Sequence, residues 1–202
     1  MQLKKYQNQC LEKLRDYAVE CKKYPPEDGA KFAWIKFQPE KGYHPFSPEN
    51  NAPITCIKVP TGGGKTLIAS HSVGVLFEHY LKERDDAGLV MWFVPSDSIR
   101  KQTLRALKNR NHPFRKVLDS RFDNKVKVLD IEEAKKIKKS DLAENVCIAV
   151  STISAFRREE RDALKVFQNN GALLNHFEEL PDEAKEFLEK EKKTGEIIYS
   201  LA

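Results

Sequence analysis

No segment of the 202-residue chain approaches the ~20 consecutive apolar residues that a membrane-spanning helix needs. The N-terminus, M-Q-L-K-K-Y-Q, also lacks the apolar core of a secretory signal. The cysteines at positions 10, 21, 56 and 147 form no C-x-x-C pair and make no zinc-ligand pattern. We therefore expect no membrane partner, and a cytoplasmic protein with reduced cysteines.

The composition is that of an ordinary folded protein. Hydrophobic residues make up 40% of the chain and charged residues 32%, which is far from the composition of disordered chains. The formal net charge of +5 permits a nucleic-acid partner, but a solvated, lysine-rich surface explains it equally well. The length suits one domain with a core, or one domain with an insertion.

Apolar runs alternate with helix-like segments through most of the chain, and this pattern predicts an α/β fold with a parallel sheet covered by helices. The predicted strands are 54–59, 89–94, 126–129 and 146–151, and the predicted helices are 3–20, 65–82, 96–109 and 131–139. The proline-rich residues 22–53 indicate a loop or irregular insertion with a short strand at 32–37, and residues 181–193 indicate a solvated helix.

One motif carries specific chemistry: V-P-T-G-G-G-K-T, at residues 59–66, between a predicted strand and a predicted helix. Consecutive glycines let backbone N–H groups wrap around phosphate oxygens, and the helix N-terminus adds partial positive charge. The lysine reaches the β- and γ-phosphates, and the threonine hydroxyl binds Mg²⁺. The motif therefore predicts a site for ATP with Mg²⁺, formed by Pro60, Thr61, Gly62, Gly63, Gly64, Lys65 and Thr66.

Four stretches resemble the N-terminal motifs of superfamily 2 helicases and translocases. They are P-T-G-G-G-K-T (motif I), L-K-K-Y-Q at 3–7 (the glutamine motif), F-V-P-S-D-S-I-R-K-Q at 93–102 (motif Ia) and V-S-T-I-S-A-F at 150–156 (motif Ib). Within that superfamily the chain most resembles the Res (motor and nuclease) subunit of type III restriction enzymes. The runs V-L-D-I-E-E-A at 128–134 and N-G-A-L-L-N-H-F at 170–177 add to this resemblance.

The resemblance implies a RecA-like P-loop NTPase domain in which Gln7 reads the adenine edge. It also implies contacts to the DNA backbone from residues after two strands, namely Ser96, Ser98, Arg100 and Thr152. Asp97 stands where many helicases have an arginine, and it cannot bind a phosphate. Helix capping explains the serines and the threonine as well as DNA contact does. If Gln7 does not contact adenine, we expect it to be an exposed polar residue. The sequence leaves open whether Tyr6 packs against the base or in the core.

A second departure from the family is an absence. Superfamily 2 motors need a D-E-x-H motif after an apolar strand, to position Mg²⁺ and activate water, and the chain has none. We interpret D-I-E-E at 130–133 as an acidic helix start. We therefore expect a domain incomplete at its C-terminus, with no catalytic residue and no hydrolysis by these residues alone. The expected segments are 1–21 (glutamine-motif helix), 22–53 (insertion), 54–156 (partial motor domain) and 157–202 (charged helical insertion).

Three functions are compatible with these motifs. The first is the ATP-binding part of a DNA helicase or translocase, with a methyltransferase or specificity subunit as a possible partner. The second is a stand-alone nucleotide-binding module that never hydrolyses ATP. The third is an unrelated P-loop kinase, which the order of the motifs disfavours.

Overall fold

The computed structural model describes residues 2–45, 51–81, 87–156 and 169–200, except residues 179, 187, 192 and 193. The chain divides into two compact units. The first comprises Met1–Asp85 and Pro113–Arg121, and the second comprises Asp86–His112 and Phe122–Ala202. Within the described ranges, no helix is both long and apolar enough to cross a membrane.

The regular secondary structure described in the first unit is α-helical. Its helices are α1 (Lys5–Cys21), α2 (Pro26–Phe37), α3 (Lys65–His79) and α5 (Pro113–Arg121). Helix α1 packs against both α2 and α3, and α3 packs against α5. The predicted helix at 3–20 is confirmed, and the one predicted at 65–82 is confirmed but ends three residues earlier.

The prediction of a loop with a short strand at 32–37 is wrong, because residues Pro26–Phe37 form helix α2. Pro26 occupies the first turn, where proline lacks only an N–H group that would have no partner there. Glu27 and Asp28 in the first turn and Lys36 in the last complement the helix dipole. Gly29 lets α2 approach α1, because a Cβ atom there would lie 2.2 Å from the carbonyl oxygen of Cys21.

The predicted strand at 54–59 is also wrong. Residues 51–60 have no regular secondary structure, and Ile54 is 49% exposed. An apolar run becomes a strand only when another strand supplies hydrogen-bond partners, and none does so within the described part of the chain. Val59, three residues before the first glycine of the loop, is nevertheless buried.

The second unit is built on a parallel sheet whose three described strands lie in the order β1-β3-β2. They are β1 (Gly88–Val94), β2 (Val126–Asp130) and β3 (Val146–Thr152), and they confirm three predicted strands to within one residue. Both Gly88 and Val126 pair with Val146. Residues Val146–Ser151 of the central strand are all buried, so both of its faces are covered.

The second unit also contains helices. They are α4 (Asp97–Lys108), α6 (Ile131–Ala134), α7 (Lys139–Glu144) and α8 (Asp182–Lys185), and 3₁₀ turns lie at Ile153–Phe156 and Gly171–His176. The helix predicted at 96–109 is confirmed. The one predicted at 131–139 ends after one turn, and a new helix begins at Lys139. The helix predicted at 181–193 is wrong, since among the described residues of that range only Asp182–Lys185 is helical. Residues 157–168 of the predicted charged insertion lie outside the described residues.

The acidic run after β2 is a helix start, as predicted. Asp130 caps α6, because its Oδ1 accepts the N–H group of Glu132 at 2.7 Å. Glu133 reaches back, and its Oε2 accepts the N–H group of Asp130 at 2.7 Å, which completes a capping box.

A hydrophobic cluster covers one face of the sheet. Leu129, Cys147 and Ala149 contribute strand side chains, and Ala134 and Ile137 come from α6 and the turn that follows it. Leu173, in the 3₁₀ turn near the C-terminus, packs against the same cluster and is 3% exposed. Fully burying a side chain of this size stabilises the fold by about 1.5–3 kcal/mol. The family-like run at 170–177 therefore helps to form the core of this unit.

Candidate functional site

The glycines before α3 give the loop a backbone conformation that few other residues adopt. Gly62 has φ of 75° and Gly64 has φ of 77°, both in the left-handed region. Gly64 also occupies the N-cap position of α3, and its carbonyl oxygen accepts the N–H group of Ile68 at 3.0 Å. The chain thus turns sharply from Pro60 into a 15-residue helix.

Gly63 is required for a different reason, which is space. A Cβ atom at this position would lie 2.5 Å from Cγ1 of Val59 and 2.9 Å from the carbonyl oxygen of Pro60. The N–H group of Gly63 donates to that same oxygen at 3.0 Å and closes the turn. The loop is therefore folded tightly against its own first residues.

The two residues after the glycines begin α3. The side chain of Lys65 folds back over the loop, and its Nζ donates to the carbonyl oxygen of Pro60 at 2.9 Å. Thr66 is half-buried in the first turn, and its carbonyl oxygen accepts the hydroxyl of Ser70 at 2.9 Å. The loop thus presents an ammonium group and a threonine side chain at the N-terminus of a helix, where partial positive charge favours anions.

Two residues at the start of α1 contact this loop. The Tyr6 hydroxyl donates to the carbonyl oxygen of Gly63 at 2.7 Å, and Nε2 of Gln7 donates to the same oxygen at 3.1 Å. Gln7 is 5% exposed, and its Oε1 accepts the N–H group of Lys4 at 2.9 Å. The structure therefore brings Gln7 to the predicted site, whereas its contact with adenine stays a prediction. Tyr6 was left open by the sequence, and here its hydroxyl binds the loop.

A cavity of about 490 Å³ lies elsewhere in the first unit, between α1, α2 and the segment before the loop. Its lining includes Cys10, Tyr17, Trp34 and Phe37, and Cys56 comes from the segment that precedes the glycines. None of the residues 60–66 lines it. The rings of Tyr17 and Phe37 meet edge to face at 6.1 Å, and burial raises the pKa of the Tyr17 hydroxyl.

In the second unit, the residues predicted to contact DNA meet at one edge of the sheet. Val94 at the end of β1 pairs with Thr152 at the end of β3, and Ser96 follows Val94 by two residues. Ser98 and Arg100 lie in the first turn of α4. Because parallel strands end at the same edge, all four predicted residues are brought together there.

Their contacts within the chain differ. Ser96 caps α4, since its Oγ accepts the N–H group of Ile99 at 3.4 Å. The Thr152 hydroxyl lies 3.0 Å from that of Ser154, and Ser98 is exposed. The capping role that the sequence left open for Ser96 is therefore present, and the DNA contact of all four residues stays a prediction.

Arg100 is held in ion pairs at this edge. Its Nε donates to Oδ1 of Asp97 at 2.8 Å, and its Nη1 donates to Oδ2 of Asp130 at 2.8 Å. Hydrogen bonds from Lys101 and Arg100 lower the pKa of Asp97, and the Asp97 carboxylate in turn raises that of Arg100. Burial raises the pKa of Asp130, but the Glu132 N–H group and Arg100 together bring it below its ordinary value.

Among the residues that the structure describes, no group of three or more His, Cys, Asp and Glu side chains is arranged to hold a metal ion. The Mg²⁺ contact of the Thr66 hydroxyl stays a prediction. Such a site needs no cluster of side chains, because this ion binds through few protein groups and keeps phosphate oxygens and water as its other ligands.

A family model described as the type III restriction enzyme res subunit matches residues 1–196. The chain belongs to this family. It therefore has the RecA-like P-loop fold, with its parallel strands covered by helices, and belongs to a group of helicase-type ATP-binding motors. The family generally uses ATP with Mg²⁺ and acts on DNA. Searches of curated proteins and of solved structures gave no match.

Sequence reasoning did not include Tyr6 among the site residues. It stands next to Gln7 in L-K-K-Y-Q, which is a local signal, but its partner at position 63 is distant in sequence. Only the packing of α1 against α3 brings the two together.

Proposed function

We propose that this chain is the ATP-binding part of a DNA helicase or translocase motor, in which residues 60–66 hold the phosphates of ATP. The observation that carries the proposal is the loop geometry. Two glycines with left-handed φ lead directly into the N-terminus of α3, beside an ammonium group. Membership of a helicase-type family supports the same assignment.

The chemistry follows from the groups present. When the nucleotide binds, Lys65 would leave the Pro60 carbonyl oxygen and donate to the β- and γ-phosphate oxygens. These hydrogen bonds are stronger, because both partners are charged. The Thr66 hydroxyl would supply one ligand to Mg²⁺. Bound Mg²⁺ neutralises phosphate charge, and the backbone N–H groups of the loop orient the phosphates.

Calorimetry on Lys65→Ala tests the nucleotide site. Loss of a charge-assisted contact worth roughly 1.5–3 kcal/mol should lower ATP affinity about tenfold or more. Lys31→Ala is the matched control, because Lys31 is an exposed lysine that belongs to α2 and not to the loop. Equal ATP affinity for the unchanged protein and Lys65→Ala would show that the loop is not the site.

The DNA part of the proposal rests on the edge formed by Ser96, Ser98, Arg100 and Thr152. Hydroxyl and guanidinium groups there would meet backbone phosphates, which carry no sequence information. Binding should therefore be weak, salt-sensitive and equal for unrelated duplexes, with sequence recognition left to a methyltransferase partner. Competition between duplexes over a range of salt concentrations measures this, and tight binding of one sequence would contradict it.

A second candidate is a nucleotide-binding module that does not hydrolyse ATP. These 202 residues contain no D-E-x-H motif, and phosphoryl transfer needs a group that positions water. Phosphate release by the chain tests whether these residues hydrolyse ATP, with Lys65→Ala as the blank. Release that depends on Lys65 would exclude the non-hydrolysing module.

A further inference from the structure

One carbonyl group of the phosphate loop is held by two side chains from another helix. The oxygen of Gly63 accepts the Tyr6 hydroxyl at 2.7 Å and Nε2 of Gln7 at 3.1 Å. A carbonyl oxygen has two lone pairs, so these donors use its full capacity. Gly63 is buried, and Gln7 is itself fixed by the N–H group of Lys4.

The direction of this carbonyl determines the direction of the next N–H group. The peptide unit is planar, and no cis peptide bond occurs in the described chain. In a trans peptide the C=O of one residue and the N–H of the next point in opposite directions. Because the Gly63 oxygen points towards α1, the Gly64 N–H group points away from α1, at the N-terminus of α3.

Such an N–H group is what a phosphate loop needs. Backbone donors at a helix N-terminus bind phosphate oxygens only if their peptide planes are already turned towards the ligand. Because glycines stand on both sides of the peptide between Gly63 and Gly64, side chains do not restrict the rotation of its plane. Gly62 and Gly64 also have φ values that few other residues adopt. Hydrogen bonds from α1 to the Gly63 carbonyl oxygen can therefore fix the orientation of this peptide, which the glycines of the loop do not determine.

We propose that Tyr6 is a positioning residue for phosphate binding, which together with Gln7 holds the Gly63 peptide so that the Gly64 N–H group faces the nucleotide phosphates. This inference rests on the proposed ATP site. It assigns Tyr6 no contact with the nucleotide. It also gives Gln7 a task at the phosphate end of the site, besides the adenine contact that the family resemblance implies.

The proposal makes a prediction that base recognition does not. Removing the Tyr6 hydroxyl should weaken every ligand that carries the phosphates, whatever its base. Tyr6→Phe removes the hydrogen bond to Gly63 and the long one, at 3.5 Å, that the hydroxyl accepts from Nε2 of Gln7. We therefore expect about a three- to tenfold lower affinity for ATP, GTP and inorganic tripolyphosphate alike. The ring is 36% exposed, so the loss of its hydroxyl leaves no cavity in the core.

Calorimetry with the three ligands and Mg²⁺ tests this on the complete chain. Tyr24→Phe is the matched control, since the Tyr24 hydroxyl also donates a hydrogen bond, to Glu20 at 3.4 Å, and the Tyr24 ring is 38% exposed. Thermal unfolding of both variants measures the purely structural effect of losing a hydroxyl. The expected result is an equal loss of affinity for the three ligands in Tyr6→Phe, and no loss in Tyr24→Phe.

Each other outcome overturns the inference. Unchanged affinities in Tyr6→Phe would show that the hydrogen bond from Tyr6 is irrelevant, and a loss confined to ATP would place Tyr6 against the base. A loss shared by Tyr24→Phe would reflect general destabilisation. Lys65→Ala separates failure of the inference from failure of the proposed function. If Lys65→Ala weakens the three ligands and Tyr6→Phe does not, only the inference fails. If the unchanged protein binds none of them, both fail.

Discussion

The guanidinium of Arg100 lies 2.8 Å from the carboxylate of Asp130 and so ties the first turn of α4 to the end of β2. A second carboxylate, that of Asp97, lies 2.8 Å from the same guanidinium. Arg100 keeps 17% of its side chain exposed. A residue proposed to contact DNA phosphates is therefore already paired, and phosphates must compete with two carboxylates for it.

Asp130→Asn should strengthen DNA binding if Arg100 contacts DNA. Asparagine can still cap α6, but the substitution removes one of the two carboxylates that pair with the guanidinium of Arg100. Removing one competing charge is worth roughly 1 kcal/mol, which corresponds to about fivefold tighter binding at low salt. The slope of log affinity against log salt should steepen by about 1. Fluorescence anisotropy with a labelled duplex measures both quantities.

Asp141→Asn is the control for this experiment. Asp141 is also an ion-paired carboxylate, 2.8 Å from Nζ of Lys127, and its loss changes the net charge equally. An equal gain in both variants would mean that DNA responds to total charge and that Arg100 has no special contact.

Gly63→Ala should weaken nucleotide binding at the proposed site. The new methyl group would lie 2.5 Å from Cγ1 of Val59, so the loop must shift and its N–H groups lose their alignment. We expect ATP affinity to fall by about tenfold or more, since several charge-assisted hydrogen bonds depend on that alignment. Gly171→Ala provides the comparison, because nothing lies within 4 Å of a Cβ atom there. Tight ATP binding by Gly63→Ala would show that the loop adapts.

Glu20 should make stability depend on pH in the acid range. It is nearly buried, and hydrogen bonds from Lys23 and Lys36 lower its pKa from 4.5 to about 2. The unfolded chain therefore takes up a proton first as the pH falls. The stabilisation from this carboxylate is fully present above about pH 4.5 and is lost as the pH falls towards 2.

Urea unfolding of Glu20→Gln at several pH values measures this contribution. The variant should be less stable than the unchanged protein at pH 7, and the difference should shrink below pH 4.5. Glu12→Gln serves as control, because Glu12 is exposed on the same helix. If the difference in free energy of unfolding stays constant from pH 7 to 2, the negative charge of Glu20 does not stabilise the fold.

Hydrogen exchange should divide the apolar segments into two classes. Amides of β3 should exchange slowest, because this strand lies between two parallel partners and its residues Val146–Ser151 are buried. Amides at 54–59 should exchange much faster, since that segment lies outside helices and strands. Strong protection at 54–59 in a monomer would reveal a pairing partner for it.

Sequence reasoning succeeded where the information was local. The strands at 88–94 and 146–152 are continuous apolar runs bounded by polar residues, and Ser96 marks the start of α4 by its capping chemistry. It failed at α2, because proline clusters were interpreted as loop although Pro25 and Pro26 only begin the helix. It also failed at 54–59, since no local pattern tells whether a partner strand is present.

The candidate site shows the same division. The sharp turn at Gly62 and Gly64 and the helix that begins at Lys65 could be predicted, because both follow from a motif of eight consecutive residues. The Tyr6 contact could not, since it depends on how α1 packs against α3. The pairing of Arg100 with Asp130 spans 30 residues and depends on how α4 lies on the sheet.

The division into two units has a spectroscopic consequence. The chain has two tryptophans: Trp34 lies in α2 of the first unit, and Trp92 lies in β1 of the second. Replacing either with phenylalanine leaves one emitter, whose fluorescence follows a single unit during unfolding. Coincident denaturation curves for the two single-tryptophan variants would identify one cooperative system, and separate curves would resolve a state in which only one unit remains folded.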